Sequence, residues 1–267
     1  MSNTQATGEN PPARKRSLVA RILDPAPEIQ SANDPRTRLN RILFLWGKGA
    51  HAGQLCAIEP EVLAEASAED RIRLAAILVE AGRMTEATAL AAEAYSATPG
   101  LADRLRYPAL TLALSRMQPE SVARLEREIA ALERFVRQGD PFRELVTEHA
   151  DSIAVVGNSP VLLDHRQGAE IDDHALVVRF NNFSVAPELR DQTGSRTSIW
   201  FRMPHLEQVW RRDRDDLRMS AVPGQAGFYR LANGQDIIVE HDLRGQTFDF
   251  IPQSVYHALR LRHGIGA

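Results

Sequence analysis

Three polar loops in the second half of the sequence combine small residues with hydrogen-bonding side chains. They are Gly157-Asn158-Ser159, residues 179–182 (Arg-Phe-Asn-Asn) and residues 191–197 (Asp-Gln-Thr-Gly-Ser-Arg-Thr). Gly157 permits a tight turn and the close approach of a ligand to the backbone. Asn158 can donate to a phosphate oxygen, and Ser159 adds a hydroxyl donor. These residue types favour the binding of a phosphate-bearing ligand.

Simpler explanations exist for the same residues. Gly157 could be only a turn that ends a strand, and Asn181 and Asn182 could cap a turn or a helix. Two familiar motifs are excluded. A dinucleotide fingerprint needs three glycines, of which only Gly157 is present. A nucleophile elbow needs a glycine where Val161 stands.

The elements that must position these loops are short apolar strands. Continuous apolar runs are typical of strands buried on both faces in a parallel sheet, where ligands bind beyond the carboxyl ends of the strands. We therefore predict an α/β domain over residues 151–267, with the three polar loops at strand ends. The predicted strands are residues 153–156, 176–178, 197–201 and 236–239.

The first half of the sequence has helical periodicity instead. Residues 1–35 are rich in proline and polar residues and predict a disordered or irregular tail, whereas residues 36–150 predict an all-α domain of helical hairpins. Runs at 71–81 and 85–95 resemble one tetratricopeptide repeat, and an ordinary helical hairpin is the alternative. A long amphipathic helix is predicted over residues 120–137.

Composition narrows the class of protein. The 267 residues are 43% hydrophobic and carry a net charge of −3, which gives no electrostatic reason to expect a nucleic-acid partner. No run approaches the roughly 18 apolar residues of a membrane-spanning helix, so we predict no transmembrane segment. The single cysteine, Cys56, excludes an intrachain disulfide and fits a cytoplasmic location.

Four short motifs occur in order within residues 151–200. They are Gly157-Asn158-Ser159, Ile171-Asp172-x-His174, Val177-x-Arg179-x-Asn181 and Gly194-Ser195-Arg196-Thr197. In this order the motifs resemble the large sialylmotif of glycosyltransferase family 29, the sialyltransferase family. The resemblance implies a Rossmann-like parallel sheet, a variant of the glycosyltransferase A type, which here follows the all-α domain.

The resemblance also implies an activity. Family members transfer sialic acid from a CMP-activated donor to a glycan hydroxyl, with inversion and without a metal or other cofactor. CMP-Kdo (3-deoxy-octulosonic acid) is the competing donor, and a saccharide is the acceptor. The residues that match the family's CMP-binding positions are Gly157, Asn158, Ser159 and Asn181. Those expected to support the donor loop are Arg179, Ser195, Arg196 and Thr197, with Arg196 either steadying the phosphate or pairing with Asp191.

Departures from the family pattern lead to further expectations. Ile153 stands where the family usually has a cysteine, which favours a bacterial-type cytoplasmic member. The family's later motifs, with its histidine base, would follow a helix at 254–260, so we expect the α/β domain to be truncated and assign no catalytic residue. The alternative function is a helical module that binds a protein partner and carries an inactive transferase remnant.

Other polar side chains have structural explanations. We expect Asp172 and His174 to hold their loop by local hydrogen bonds, and Asp213-Arg214-Asp215 to lie on a solvated helix face rather than bind a metal. The histidines nearest the C-terminus are expected to be core or surface residues. They are His241, His257 and His263.

Overall fold

The protein is a mixed α/β structure in which helices precede a parallel sheet. The computed structural model describes residues 18–202, 217–223, 227–232 and 234–251. The helices before the sheet are α1 (Leu18–Leu23), α2 (Ala26–Gln30), α3 (Pro35–Gly47), α4 (Pro60–Ala64), α5 (Ala68–Glu80), α6 (Met84–Ala97), α7 (Leu101–Arg104), α8 (Pro108–Met117), α9 (Glu126–Arg137) and α10 (Pro141–Glu148). Short 3-10 helices lie at Ala52–Gln54, Pro119–Leu125, Pro160–Asp164 and Pro187–Leu189.

Helix α5 shows how local sequence sets the helix ends. Ser67 accepts a hydrogen bond from the Asp70 N–H while the Asp70 carboxylate accepts from the Ser67 N–H, which satisfies two backbone donors at the first turn. Gly82, with φ of +81°, turns the chain after the helix. Helices α5 and α6 form the predicted hairpin, and its likeness to a tetratricopeptide repeat stays a prediction.

Two expectations for the first half are wrong in part. Part of the predicted irregular tail is helical, since α1 and α2 lie within it, and residues 1–17 are outside the described residues. The predicted helix over 120–137 is α-helical only from Glu126, because Val122 has φ of −130°. Val122 and Leu125 are nevertheless buried. Residues three apart lie on one face in a 3-10 helix as in an α-helix, so the spacing of Val122 and Leu125 could not distinguish the two.

The strands form the predicted parallel sheet. They are β1 (Ile153–Val156), β2 (Leu176–Phe180), β3 (Ile199–Phe201), β4 (Met219–Pro223) and β5 (Phe248–Ile251), in the order β1-β2-β3-β4-β5. Every neighbouring pair is parallel, so their carboxyl ends lie at one edge. Strand β1 is an edge strand of the sheet. Its Val155 is 67% exposed, whereas the apolar run predicts a strand that is buried on both faces.

The connections after β1 include four further helices. They are α11 (Gly168–Asp173), α12 (Arg190–Thr193), α13 (Gly227–Arg230) and α14 (Gly234–Leu243). The predicted strand at 236–239 is therefore wrong, because these residues lie within α14. Ile238 and His241 are both buried, at the three-residue spacing of one helix face. The sequence prediction also missed β4 and β5. A run of four residues is too short to distinguish a strand from a helix by periodicity.

Helices that precede residue 150 pack directly on the sheet. Leu112 of α8 and Leu132 of α9 share a buried cluster with Val222 of β4 and Phe248 of β5. Gln138 donates from Nε2 to the Phe248 carbonyl oxygen at 2.7 Å. The sequence pattern changes near residue 150, but the helices before this point and the sheet after it share one buried cluster. In the parts of the chain that the structure describes, no helix is both long and apolar enough to span a membrane.

Because the Asp249 carboxyl on β5 is half-buried, we predict a pH-dependent stability. Burial and the nearby Asp140 carboxyl raise its pKa from 3.8 to about 6, against the opposing effect of the Phe142 and Phe250 N–H groups. Between about pH 4 and pH 6 the folded protein holds a proton that the unfolded chain has lost, so stability falls as the pH rises through this window. The lower stability then persists above about pH 6.

Asp249→Asn removes this titration. Because an amide is neutral at every pH, we expect the variant to match the wild type near pH 4 and to exceed its free energy of unfolding by about 1 kcal/mol near pH 8, after allowance for solvent screening. Urea unfolding across this pH range measures the difference. A difference between the two proteins that does not change with pH would contradict the assignment to Asp249.

Candidate functional site

A cleft of about 250 Å³ opens at the carboxyl ends of β1 and β2. One wall comes from the segment after β1, and the other comes from the segment after β2 and from α12. The residues that line the cleft are Gly157, Asn158, Ser159, Pro160, Leu162, Leu163, Arg179, Asn182, Phe183, Ser184, Leu189 and Thr193. Polar groups and apolar side chains therefore face the same space, as in most small-molecule sites.

Asn158 connects the two strand ends. Its Nδ2 donates to the Phe180 carbonyl oxygen at 2.9 Å, which ties the loop after β1 to the last residue of β2. This bond uses one of the two amide hydrogens and leaves the Oδ1 acceptor and the second hydrogen for other partners. The side chain is exposed at the cleft, so it can contact a ligand while its orientation is held.

Gly157 leaves open space beside the backbone. A Cβ atom built at this position would meet no atom within 4 Å, and the residue does not adopt a left-handed conformation. Neither packing nor backbone strain within the described residues therefore requires a glycine here. The absence of a side chain instead allows a ligand to approach the backbone, which agrees with the interpretation of the sequence.

Arg179 is a buried charge beneath the cleft, with 1% of its surface exposed. Its guanidinium donates to the Thr193 carbonyl oxygen at 2.6 Å and to the Arg196 carbonyl oxygen at 2.8 Å. The guanidinium carbon also lies 5.5 Å from the centre of the Phe183 ring, in a cation–π contact. Arg179 thus holds both segments of the wall opposite Asn158.

Asp172 fixes the loop that Arg179 binds. Its carboxylate accepts hydrogen bonds from the N–H groups of Ser195 and Arg196 and from the Ser195 hydroxyl, all at 2.9 Å. Burial would raise the pKa of Asp172, but the N–H groups of Arg196 and Ser195, the Ser195 hydroxyl and the Arg179 charge together lower the pKa below its ordinary value. Gly194 is required here, because a Cβ would lie 2.5 Å from the Asp172 Oδ1. The expected structural role of Asp172 is confirmed.

The sequence pattern predicts that the loop at 191–197 follows the end of a strand. This prediction is wrong, because the loop precedes β3. The Arg196 guanidinium donates to the carbonyl oxygens of Asp172 and His174, both at 2.6 Å, just before β2 begins. This arrangement places Ser195 and Arg196 towards the amino ends of the strands. The hydrogen bonds of the Arg196 guanidinium run to backbone carbonyl groups rather than to Asp191.

The structure therefore separates the predicted site residues into two groups. Those that line the cleft are Gly157, Asn158, Ser159 and Arg179. Those outside its lining, within the described residues, are Asn181, Ser195, Arg196 and Thr197. Thr197 is fully buried. The assignment of these residues to donor binding stays a prediction. The geometry indicates which of them can contact a ligand in the cleft.

Asn181 has a backbone role at the end of β2. Its N–H donates to the Phe201 carbonyl oxygen at 2.7 Å, and its own carbonyl oxygen accepts from the Trp200 Nε1 at 2.9 Å. Its φ is +47°, in the left-handed region that asparagine tolerates better than most residues. The neighbouring Asn182 lines the cleft instead.

Sequence reasoning missed several lining residues. Asn182 and Thr193 lie in the predicted polar loops without an assigned ligand-binding role, and Ser184 lies outside those loops. Residues 182–184 alternate exposed, buried and exposed, and the polar-apolar-polar pattern Asn-Phe-Ser is the signal that could have revealed this wall. No comparable local signal marks Thr193, which reaches the cleft through the packing of α12.

Of the three histidines nearest the C-terminus, the structure describes His241. His241 is buried, and its ring stacks on Phe248 with the ring centres 4.3 Å apart. Burial, together with the charges of Arg202 and Arg244, lowers its pKa to about 3, so it is a weak base near neutral pH. The prediction of a core histidine is confirmed for His241.

Several other chemistry-bearing residues cannot be placed. His257, His263, Asp213 and Asp215 lie outside the described residues. Within the described ranges, no group of three or more His, Cys, Asp or Glu side chains could hold a metal ion. The metal-free reaction stays a prediction.

Comparison with known proteins supports the family that the motifs indicate. Residues 103–225 match the family model of glycosyltransferase family 29 (sialyltransferase). The match includes the cleft and extends back to α8, α9 and α10, the helices that pack on or next to the sheet. No curated protein and no solved structure matches the chain. The family match and the cleft together favour a glycosyltransferase, with a sugar-nucleotide donor and a glycan acceptor.

Proposed function

We propose that the protein is a sialyltransferase-type glycosyltransferase that uses a CMP-activated sugar acid, either CMP-sialic acid or CMP-Kdo, and transfers the sugar to a saccharide. The observation that carries this proposal is the cleft between the loops after β1 and β2. The Gly157-Asn158-Ser159 motif forms one wall of this cleft, within the region that matches the family.

The chemistry of the lining suits a nucleoside monophosphate. Leu162, Leu163 and Leu189 supply apolar surface against which a pyrimidine base can pack, while Asn158 and Ser159 supply hydrogen-bonding groups. The buried Arg179 guanidinium adds positive charge beneath the cleft, which favours an anionic ligand. A single phosphate can be bound by such donors without a bridging divalent ion.

In the proposed reaction, an acceptor hydroxyl oxygen attacks the anomeric carbon of the donor sugar. The new carbon–oxygen bond forms as the bond to the CMP phosphate breaks, and the electron pair leaves with CMP. The hydroxyl proton passes to a general base, a role to which we assign no residue. The contribution of the cleft is to hold the CMP group and stabilise its developing negative charge.

Calorimetric titration with CMP tests the site through Asn158. We expect Asn158→Ala to weaken binding about tenfold, because it removes a ligand hydrogen bond and the tether to Phe180. Asn158→Asp keeps the shape but places a carboxylate beside the phosphate, so the loss should be larger. Asn40→Ala, an exposed asparagine on α3, is the matched control and should bind CMP like the wild type.

The same titration can refute the proposal. If the wild type does not bind CMP, or if the Asn158 variants bind it as tightly as Asn40→Ala, the cleft is not a donor site. Competition of CMP-sialic acid and CMP-Kdo against CMP then identifies the preferred sugar. AMP and UMP serve as controls for recognition of the cytosine base.

A further inference from the structure

Positive charge is concentrated near the start of the sequence. Residues 14–48 contain eight arginine or lysine residues and three aspartate or glutamate residues, a net charge of +5. The whole chain carries −3, so the rest of the sequence carries −8. Three of the basic residues are consecutive, Arg14-Lys15-Arg16, and only Ser17 separates them from the first residue of α1. Such an asymmetry of charge indicates an anionic partner for this part of the chain.

An aromatic ring lies exposed between two cations on the adjacent helices. Phe44 of α3 is 45% exposed. The guanidinium carbon of Arg21 lies 5.8 Å from the centre of the Phe44 ring and the Lys48 Nζ lies 5.7 Å from it, both in cation–π contacts. Arg21 also pairs with Glu28 at 3.3 Å. Leu18, 39% exposed, precedes Arg21 by three residues and so shares its face of α1.

We call the surface formed by Leu18, Arg21, Phe44 and Lys48 the α1–α3 patch. It presents apolar side chains and basic side chains together, and it lies on helices that are joined directly to the basic residues 14–16. An interfacial segment of a membrane-bound protein has the same combination, because its apolar groups enter the headgroup region while its cations contact anionic lipids.

We propose that the α1–α3 patch, together with the basic residues before it, binds the surface of an anionic lipid bilayer. A nucleic acid would attract the same charges, but it offers no apolar layer for Leu18, so the exposed apolar groups favour lipid. The proposed contact lies on the bilayer surface and needs no helix that spans it. This inference goes beyond the proposed function and does not depend on it.

Co-sedimentation of the full chain with lipid vesicles tests the proposal. We expect binding to vesicles that mix phosphatidylcholine with phosphatidylglycerol, and binding about tenfold weaker to phosphatidylcholine alone. About 0.5 M NaCl should release most of the bound protein, because salt screens the attraction between the basic side chains and the headgroups.

Substitutions in the patch separate the charge from the apolar contact. Lys48→Glu reverses one charge and should weaken binding to the anionic vesicles about tenfold, whereas the neutral Lys48→Gln should weaken it about threefold. Phe44→Ala should weaken it about fivefold, because less apolar surface enters the bilayer. A melting temperature close to that of the wild type shows that each variant is folded.

Two variants of α9 are the matched controls. Arg127→Glu reverses an exposed charge and Val136→Ala shortens an exposed apolar side chain, both outside the patch. We expect both to bind the anionic vesicles as the wild type does. If they lose as much binding as Lys48→Glu and Phe44→Ala, the patch is not the contact and the inference is overturned.

The remaining outcomes also decide the matter. Equal binding of the wild type to neutral and anionic vesicles, or no binding to either, contradicts the proposal. Binding to a short DNA duplex without binding to anionic vesicles makes the patch a nucleic-acid surface and equally overturns it. Lys48→Glu and Phe44→Ala should bind CMP as the wild type does, so a failure of this inference is distinct from a failure of the donor site.

Discussion

Arg230→Ala should destabilise the protein by about 3–5 kcal/mol, because it breaks a buried network between the helical half and the sheet. The Arg230 side chain is 5% exposed and donates from Nε to the Glu80 carboxylate at 2.8 Å. Its other nitrogens donate to the carbonyl oxygens of Trp46 and Ala50, each at 2.8 Å. Removal of the guanidinium leaves a carboxylate and two carbonyl groups without these donors.

Denaturant unfolding measures this loss, and two further variants test its cause. Arg134→Ala breaks an exposed pair with Asp242 between α9 and α14, and the loss should be much smaller because water screens that pair. Glu80→Gln keeps an oxygen that can accept from the Trp46 Nε1, as Glu80 does at 2.7 Å, but removes the charge. If Arg230→Ala were no more harmful than Arg134→Ala, the network would not hold the two halves together.

We expect the second large loss of stability for Gly168→Ala, at the start of α11. A Cβ atom there would lie 1.8 Å from the Arg190 carbonyl oxygen and 2.8 Å from the Gly194 nitrogen. Backbone atoms cannot move aside as a flexible side chain can, so α11 and α12 must separate. We expect a loss of about 3 kcal/mol, at the upper end of the usual cost of overpacking.

Gly168→Ala should also weaken CMP binding, because displacement of α12 moves Thr193 in the wall of the cleft. Gly47→Ala is the matched control: its Cβ would meet no atom within 4 Å, and it lies in the last turn of α3. The control should be neutral or gain about 0.5 kcal/mol. Unfolding curves and CMP titrations of both variants check these expectations. Wild-type stability for Gly168→Ala would contradict the packing of α11 against α12.

The contacts of Arg230 also bear on the arrangement of the chain. Arg230 belongs to α13, within the segment that carries the sheet, while Trp46 and Glu80 belong to the helices of the first half. The buried cluster of Leu112, Leu132 and Phe248 joins the same two parts. The helices therefore support the sheet through direct packing.

Much of the fold could be predicted from the sequence because it depends on neighbouring residues. The apolar runs at 153–156 and 176–178 are followed by polar loops, and the carboxyl ends of parallel strands share one edge. This pattern was enough to bring Gly157 and Asn158 together with the segment after β2. The α5–α6 hairpin was likewise predictable, since the capping residues and the apolar spacing lie within a few residues of each other.

Tertiary contacts decided the remaining features. Residues 236–239 form part of a helix because Ile238 and His241 pack on one side, and a short apolar run by itself permits either structure. Asn182 lines the cleft and Asn181 does not, and the Phe183 between Asn182 and Ser184 is buried beside Arg179. The partner of Arg230 lies 150 residues away in the sequence. Local propensity extends over a few residues, whereas these outcomes are set by contacts between distant segments that form only in the folded chain.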